Sequence, residues 1–168
     1  PLQRQLDLTR LLFPEARVAL MVSEEAPVWV TNEINHLQGD DFTVFAKKPE
    51  DSLNRVLKET LAEHDVLLGT VDSGIYNPST IKNILITAYR QNIPLIGPHQ
   101  AYIRAGSIAT TYSSLADTVK RLAEIIEAET LPKPGYNPYF SVTVNEQVAR
   151  SLDILLPADT AELTSQLR

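Results

Sequence analysis

Arg17-Val-Ala-Leu-Met-Val22 is an almost uninterrupted apolar run of the length of one strand. A strand with one wet face alternates apolar and polar side chains, whereas a parallel strand covered on both faces is apolar throughout. The run therefore predicts a central parallel strand. Around it the chain alternates helical and extended patterns, and further strands are predicted at 42–45, 65–70, 93–96 and 107–112.

Helices are predicted between these strands from apolar residues at helical spacing. Pro27 and Pro78 are expected to open two of them, Ser52 to cap a third, and Pro14 to end the first. The residues that carry the apolar pattern are Leu6, Leu8, Leu11, Leu12, Val28, Ile34, Leu37, Leu53, Val56, Leu57, Leu61, Ile81, Ile84, Leu85, Ala88, Tyr89, Leu115, Val119, Leu122, Ala123 and Ile126. Five βα units predict an α/β fold with a doubly wound, mainly parallel sheet and helices on both faces.

The composition limits the classes of function. The chain has 168 residues, 43% hydrophobic and 21% charged, with a net charge of −6, as expected for one globular domain. An acidic surface repels phosphate backbones and anionic lipid, so a nucleic-acid partner is not expected. The absence of cysteine excludes disulfides, thiolate catalysis and Cys-ligated zinc.

The start of the sequence carries no targeting pattern. The chain begins Pro-Leu-Gln without a basic and apolar leader, and no apolar run approaches the ~20 residues of a membrane span. We expect a mature or truncated product, which leaves open whether a secretion signal has been lost.

Motifs for cofactors and catalysis fail in this sequence. Gly69 and Gly74 have the spacing of a phosphate loop, but Ile75 and Tyr76 stand where Lys and Ser or Thr are needed. No G-x-G-x-x-G or G-x-S-x-G occurs, and the three histidines lack metal-ligand spacing. A phospho-acceptor receiver domain would need a lysine after the fifth strand, where 113–114 are both serine. No cofactor, metal site or catalytic residue is predicted, and the chain is not expected to be an enzyme.

Ligands of doubly wound sheets bind beyond the carboxyl ends of the strands. Three loops are expected there, at 23–26, 71–77 and 97–102, and they are rich in polar and aromatic side chains. Such a cluster suits a small polar ligand. The predicted ligand-binding residues are Ser23, Glu24, Asp72, Ser73, Tyr76, Asn77, His99 and Tyr102.

Several of these residues have a second, structural explanation. Asp72 either pairs with a ligand ammonium or accepts the amides of its own loop. Glu24 raises the same question as Asp72, and His99 is either a ligand contact or an ordinary loop residue. Trp29, at the start of a helix, is more often a core residue than a stacking platform.

Several stretches, in their order along the chain, resemble a known family. They are Gln5-Leu-x-Leu8 with Pro14, Asp72, Tyr89-Arg-Gln-Asn-Ile-Pro94, Ala105-Gly-Ser-Ile-Ala109 and Val144-Asn-Glu-Gln-Val-Ala-Arg-Ser-Leu152. Together they resemble the bacterial ABC-transporter substrate-binding proteins of the TrpX-like, type 1 periplasmic-binding class.

The resemblance implies a two-lobed protein, of which this chain is the carboxy-terminal portion and the amino-terminal lobe is missing. Residues 1–131 would be the second ligand-binding lobe with a preceding linker helix. Residues 132–168 would be a crossover strand and helices that pack on the same lobe or on the missing one. By similarity, Asp72 would hold the ammonium of an amino acid, although Ser23-Glu-Glu-Ala-Pro27 departs from the family's first loop.

Two functions follow as hypotheses. The first is a periplasmic solute-binding protein that takes a small polar ligand, such as an amino acid, without chemistry and is recognised by a membrane permease or a membrane sensor protein. The alternative is a single-lobe sensory or interaction module that has lost solute binding and forms homo-oligomers or other complexes through an exposed lobe surface. The helix around Leu6–Leu12 and the strand at 140–144 are the expected contact segments of such a surface.

Overall fold

The computed structural model describes residues 1–156 and 160–167. Helices and strands alternate along the chain for most of its length. The helices are α1 (Leu2–Leu12), α2 (Val28–Asn35), α3 (Leu53–Leu61), α4 (Ile81–Tyr89), α5 (Ala101–Ala105), α6 (Leu115–Glu127), α7 (Glu146–Ser151) and α8 (Thr160–Gln166). The strands are β1 (Val18–Ser23), β2 (Phe42–Lys47), β3 (Val66–Leu68), β4 (Leu95–Ile96), β5 (Ala109–Tyr112) and β6 (Ser141–Val144).

The described strands form one sheet in the order β2-β1-β3-β4-β5-β6. All neighbours are parallel except β5 and β6, which are antiparallel. Strand β2 pairs with one edge of β1, and the chain then crosses over to place β3 at the other edge of β1. Val18 of β1 accordingly lies opposite Phe42 on one side and opposite Val66 on the other. This reversal makes a switch point between β1 and β3. The predicted α/β class with a mainly parallel sheet is confirmed.

Strand β1 is an internal strand of the sheet, between β2 and β3, and both of its faces are covered, as its apolar run predicts. Val18 and Leu20 belong to the hydrophobic cluster on one face of the sheet. Ala19 and Met21 belong to the cluster on the other face. All four side chains are buried, so the strand is covered on both faces. This explains why its residues are apolar throughout and do not alternate with polar ones.

Three helix starts differ from prediction. Helix α2 follows Pro27, but Val28 is 74% exposed and Val30 is the buried residue. Ser52 stands at the N-cap of α3 without a side-chain capping hydrogen bond. Helix α4 begins at Ile81 rather than at Pro78, because turns precede it and the Asn77 carboxamide oxygen accepts the amides at 79–80.

Helix α5 was not predicted. It begins inside the segment 97–102, which the sequence places in a loop, and it ends at Gly106 with a φ of +128°. A five-residue helix is too short to show an apolar period, so only its C-terminal glycine indicates it.

The expected contact segments of an exposed surface are buried against the rest of this chain, so that expectation is wrong. Leu6 and Leu8 of α1 are fully buried against the sheet. Phe140 and Val142 are also buried, since β6 pairs with β5 and is covered by α8. The Thr164 hydroxyl of α8 accepts the Val142 amide at 3.1 Å. The described part of the tail therefore packs on the same sheet.

Candidate ligand-binding site

Asp72 joins the ends of two neighbouring strands at the carboxyl edge. Its side chain is 2% exposed. One carboxylate oxygen accepts the Ser23 amide at 2.6 Å, and the other accepts the Ser23 hydroxyl at 3.1 Å and the Gly74 amide at 2.9 Å. A Cβ on Gly74 would lie 2.8 Å from Ser23 Oγ, so glycine permits this close approach. The carboxylate thus organises the edge, whereas its pairing with a ligand ammonium stays a prediction.

A group of aromatic side chains continues from this point. The Tyr102 hydroxyl of α5 donates to the Tyr76 carbonyl at 2.8 Å. The ring of His99 stands edge-on to that of Tyr102, with centroids 4.7 Å apart. Burial raises the pKa of Tyr76, with a further contribution from Asp72, so its phenol stays protonated at all ordinary pH values. Desolvation lowers the pKa of His99, which favours the neutral ring.

The remaining predicted residues lie at the rim of the same edge. The Asn77 carboxamide donates to the Ser73 carbonyl at 2.9 Å and shapes the loop after β3. Glu24 is exposed just after β1, and its amide donates to the Lys47 carbonyl at 3.0 Å. All of the predicted residues except Glu24 are therefore connected, either by direct contacts or by belonging to the short loop after β3. Glu24 lies beside them, next to Ser23. Their contact with a ligand stays a prediction.

A cavity of about 310 Å³ opens at this edge, further along the sheet. It lies beyond the ends of β3, β4 and β5, between the starts of α1 and α2 and the segment at 136–137. The residues that line it are Pro1, Leu2, Arg4, Gln5, Trp29, Val30, Glu33, Gly69, Thr70, Val71, Pro98, Thr111, Tyr112, Ser113, Tyr136 and Asn137. The eight residues predicted from sequence are not among this lining, although their loops supply Val71 and Pro98 to it.

Glu33 is the acidic group of the cavity. One of its carboxylate oxygens accepts the Leu2 amide at 2.8 Å. Its other oxygen, Oε1, is buried and has no hydrogen-bond partner among the described residues. A buried carboxylate oxygen without a donor is unfavourable by about 1–3 kcal/mol or more, so a ligand N–H or ammonium at this point would be stabilised.

Arg4 is a basic side chain of the cavity, whose lining also includes Pro1. Its guanidinium donates to the Asn137 carbonyl at 3.0 Å and lies 3.8 Å over the ring of Phe140. Burial lowers its pKa, but a guanidinium stays protonated far above physiological pH. A positive charge therefore lines the same cavity as the Glu33 carboxylate.

Gln5 fixes the base of the cavity. Its carboxamide nitrogen donates to the Thr110 hydroxyl at 2.9 Å, and its oxygen accepts the Thr111 amide at 3.0 Å. These buried bonds hold α1 on the end of β5 before any ligand arrives. Trp29, which is 50% exposed, and Tyr136 add aromatic surface to the lining.

Sequence reasoning pointed to the edge of the sheet where this cavity opens but did not find its lining residues. Trp29 and Glu33 are four positions apart, so they share one face of α2, and that spacing was a usable signal. Arg4 and Gln5 gave no signal, because α1 precedes β1 in sequence and reaches the cavity only through tertiary packing. Within the described residues, no group of acidic and histidine side chains is arranged to hold a metal ion.

Comparisons with known proteins support the fold. The chain aligns over 96% of its length with a conserved domain protein from Vibrio cholerae O1 biovar El Tor, at 16% identity and a TM-score of 0.68. It aligns over 96% with an ABC domain in complex with L-Trp from Streptococcus pneumonia, at 18% identity and a TM-score of 0.66. The chain spans 58% of each of these two structures.

No protein-family model and no curated protein matches the sequence. The likeness to these two structures shows a shared α/β fold with a mainly parallel sheet, which is the fold that the resemblance implied. None of the described helices is both long and apolar enough to cross a bilayer.

Proposed function

We propose that this chain is the ligand-binding lobe of a solute-binding or sensor protein and that it binds a small molecule without changing it. The observation that carries the proposal is the preformed cavity at the carboxyl edge. Its lining includes a buried Glu33 oxygen without a hydrogen-bond partner among the described residues, together with exposed aromatic surface. Pockets of this size and position are the usual ligand sites of doubly wound sheets.

The cavity chemistry favours an amino acid or a related amine. Glu33 offers an acceptor to an ammonium, Arg4 offers a positive charge for a carboxylate, and Trp29 offers a flat surface for an apolar side chain. The structural neighbour in complex with L-Trp supports this class of ligand. The residues predicted from sequence would then complete the site from the adjacent loops, with Asp72 holding their geometry.

The cellular location of the protein and its membrane partners are also part of the proposal. Because the fold is that of a periplasmic-binding-protein-like lobe, we infer that the protein acts in the periplasm or outside the cell. There a membrane permease or a membrane sensor protein would recognise the ligand-bound form. The groups that line the cavity are suited to holding a charged ligand by hydrogen bonds and stacking, which supports recognition without chemistry.

A titration followed by NMR or calorimetry tests the proposal, with L-Trp and a panel of other amino acids and amines as ligands. We expect saturable binding of at least one amine. Glu33→Gln should then weaken binding by about 10- to 100-fold, because a hydrogen bond to a charged group contributes about 1.5–3 kcal/mol.

Glu25→Gln is the matched control, since Glu25 is an exposed carboxylate that neither lines the cavity nor belongs to the predicted ligand-binding residues. It should bind with the affinity of the wild type. The opposite result would be saturable binding that Glu33→Gln leaves intact but that Glu24→Gln or Asp72→Asn abolishes. It would place the site in the loops predicted from sequence. Failure of every ligand to bind would refute the proposal and favour an interaction module without solute binding.

A further inference from the structure

Strand β2 lies at one edge of the sheet, and in the described sheet it pairs only with β1. The Val18 amide donates to the Asp41 carbonyl at 3.0 Å. The Glu24 amide donates to the Lys47 carbonyl, also at 3.0 Å. Because main-chain groups alternate in direction along a strand, the N–H and C=O groups at 42, 44 and 46 point away from β1. The outer side of β2 is therefore a row of hydrogen-bonding groups that no strand of the described sheet pairs with.

The opposite edge of the sheet is covered, which makes the β2 edge stand out. Helix α8 packs along β6, and its Thr164 hydroxyl accepts the Val142 amide at 3.1 Å. Among the described residues, no side chain makes such a bond to the outer main-chain groups of β2, and Val44 is 37% exposed. Strand β2 has six residues, contains no proline and keeps an unbroken register with β1. An edge without a bulge, a proline or a covering helix is a template for another strand.

We infer that the outer side of β2 is the pairing site for a second copy of this chain, with the two β2 strands antiparallel about a two-fold axis at Val44. In this register the main-chain groups of Val44 bond to those of Val44 in the second copy. The groups at 42 bond to those at 46 of the second copy, and the reverse. Every outer main-chain group at 42, 44 and 46 then has a hydrogen-bond partner.

The charges at the two ends of β2 favour this antiparallel register. Asp40 and Asp41 precede the strand, which ends at Lys47 and is followed by Lys48. With the axis at Val44, position 40 lies opposite position 48 of the second copy, and position 41 lies opposite position 47. Each pairing joins an acidic and a basic side chain, and the symmetry repeats it. Opposite charges stabilise cross-strand pairs, whereas a parallel alignment in the same register would bring like charges together.

The side chains between these charges also suit a second copy. Position 42 would lie opposite 46 of the second copy and position 43 opposite 45, so Phe42 pairs with Ala46 and Thr43 with Phe45. Aromatic and β-branched residues are those that gain most from cross-strand contact. The strand is therefore complementary to itself in charge, side-chain type and main-chain bonding, which favours a second copy over an unrelated partner.

Disulfide trapping in the 168-residue chain tests the inference, because the chain contains no other cysteine. In Val44→Cys the two thiols would face each other across the axis, with Cα atoms about 5.5 Å apart, which a disulfide spans. Ala46→Cys is the matched control, since it is exposed on the same strand and has the same outward main chain. Its two thiols would lie about 13 Å apart along the strands, beyond the reach of a disulfide.

We expect the wild type to form a reversible dimer in sedimentation equilibrium. Under mild oxidation, Val44→Cys should then form the disulfide-linked dimer at least tenfold faster than Ala46→Cys. Equal rates for the two variants would indicate random collision and would overturn the inference. A wild-type chain that stays monomeric up to about 1 mM would also overturn it.

Reversal of the end charges tests the register without changing the strand itself. Lys48→Glu would place two acidic side chains opposite each other, and it should weaken association by at least about threefold. Adding Asp40→Lys restores opposite charges and the net charge of the wild type, so the double variant should recover most of the affinity. Both positions are exposed, and circular dichroism checks that the variants remain folded.

Association that Lys48→Glu leaves unchanged would place the contact on another surface and would overturn the inference. Failure of the double variant to recover would overturn the antiparallel register that the inference requires. Neither experiment needs a ligand, so both outcomes are independent of the titration that tests solute binding.

Discussion

Helices α1 and α6 are both amphipathic, but their apolar faces have opposite environments. Leu6 and Leu8 of α1 are fully buried against the sheet. Leu122, on the apolar face of α6, is 54% exposed. An apolar period therefore identifies a helix with an apolar face, but it does not say which body covers that face.

The polar contacts of the two helices differ in the same way. Gln5 of α1 makes buried hydrogen bonds to β5. Helix α6 instead depends on its own N-terminus, where Ser114 and Asp117 form a capping box, and on contacts of its charged side with Tyr139. Tertiary packing thus holds α1, whereas mainly local interactions hold α6 in this chain.

The largest effect is expected from truncating one leucine on each helix. Leu6→Ala should lower the free energy of unfolding by about 2–5 kcal/mol, because it leaves a cavity in a closed core. Leu122→Ala should change it by no more than about 0.5 kcal/mol, because the side chain is already largely in water. Urea denaturation of the 168-residue chain measures both values. Equal losses for the two variants would show that the apolar side of α6 packs on this lobe.

Replacement of the polar anchor of α1 should have the next largest effect. Gln5→Leu leaves the buried Thr111 amide without its acceptor and should cost about 1–3 kcal/mol in the free energy of unfolding. Gln3→Leu is the matched control on the same helix, since the hydrogen bonds of Gln3 are partly or fully exposed. We expect a smaller loss for Gln3→Leu, and the reverse order would contradict a packing role for Gln5.

Loss of the α6 cap should act locally. The Ser114 hydroxyl accepts the Asp117 amide at 3.1 Å, so Ser114→Ala should destabilise the helix by about 1 kcal/mol. Amide hydrogen exchange should accelerate along α6, with little change in the sheet. Ser52→Ala at the start of α3 is the control, because Ser52 makes no side-chain cap bond. Unchanged exchange in α6 would show that something other than the cap holds it.

The sheet could be predicted from the sequence, because a parallel strand that is covered on both faces is apolar throughout. The apolar run at 17–22 and the polar loops that follow β1, β3 and β4 located both the core and the edge at which the cavity opens. The switch point between β1 and β3 then follows from topology alone.

The cavity lining was not predicted, because it depends on helices brought together from distant parts of the chain. Gln5 meets Thr111 across a separation of 106 residues, and no local pattern records that pairing. Trp29 has the residue type of a core position, and only the fold shows that it is half exposed at the cavity.

The smallest expected effect concerns a charge on α1. Arg10 bonds to Asp41 with Nε–Oδ2 at 2.8 Å, and hydrogen bonding from Arg10 is the main reason that the pKa of Asp41 lies below its ordinary value of 3.8. A lowered carboxylate pKa stabilises the fold above the ordinary value, and the contribution is lost as the pH falls through the lowered pKa. Because the pair is partly exposed, it should contribute less than about 1 kcal/mol.

Unfolding free energies of the wild type and of Asp41→Asn, measured from about pH 6 to about pH 2, test this contribution. The wild type should be the more stable protein at the upper end, and the difference should shrink as Asp41 becomes protonated. Arg10→Gln should reduce the pH dependence in the same way, because it removes the donor that lowers the pKa. Parallel curves for the wild type and Asp41→Asn would show that the ion pair does not hold α1 to the loop before β2. The sheet and Gln5 would then account for the placement of α1, which would widen its contrast with α6.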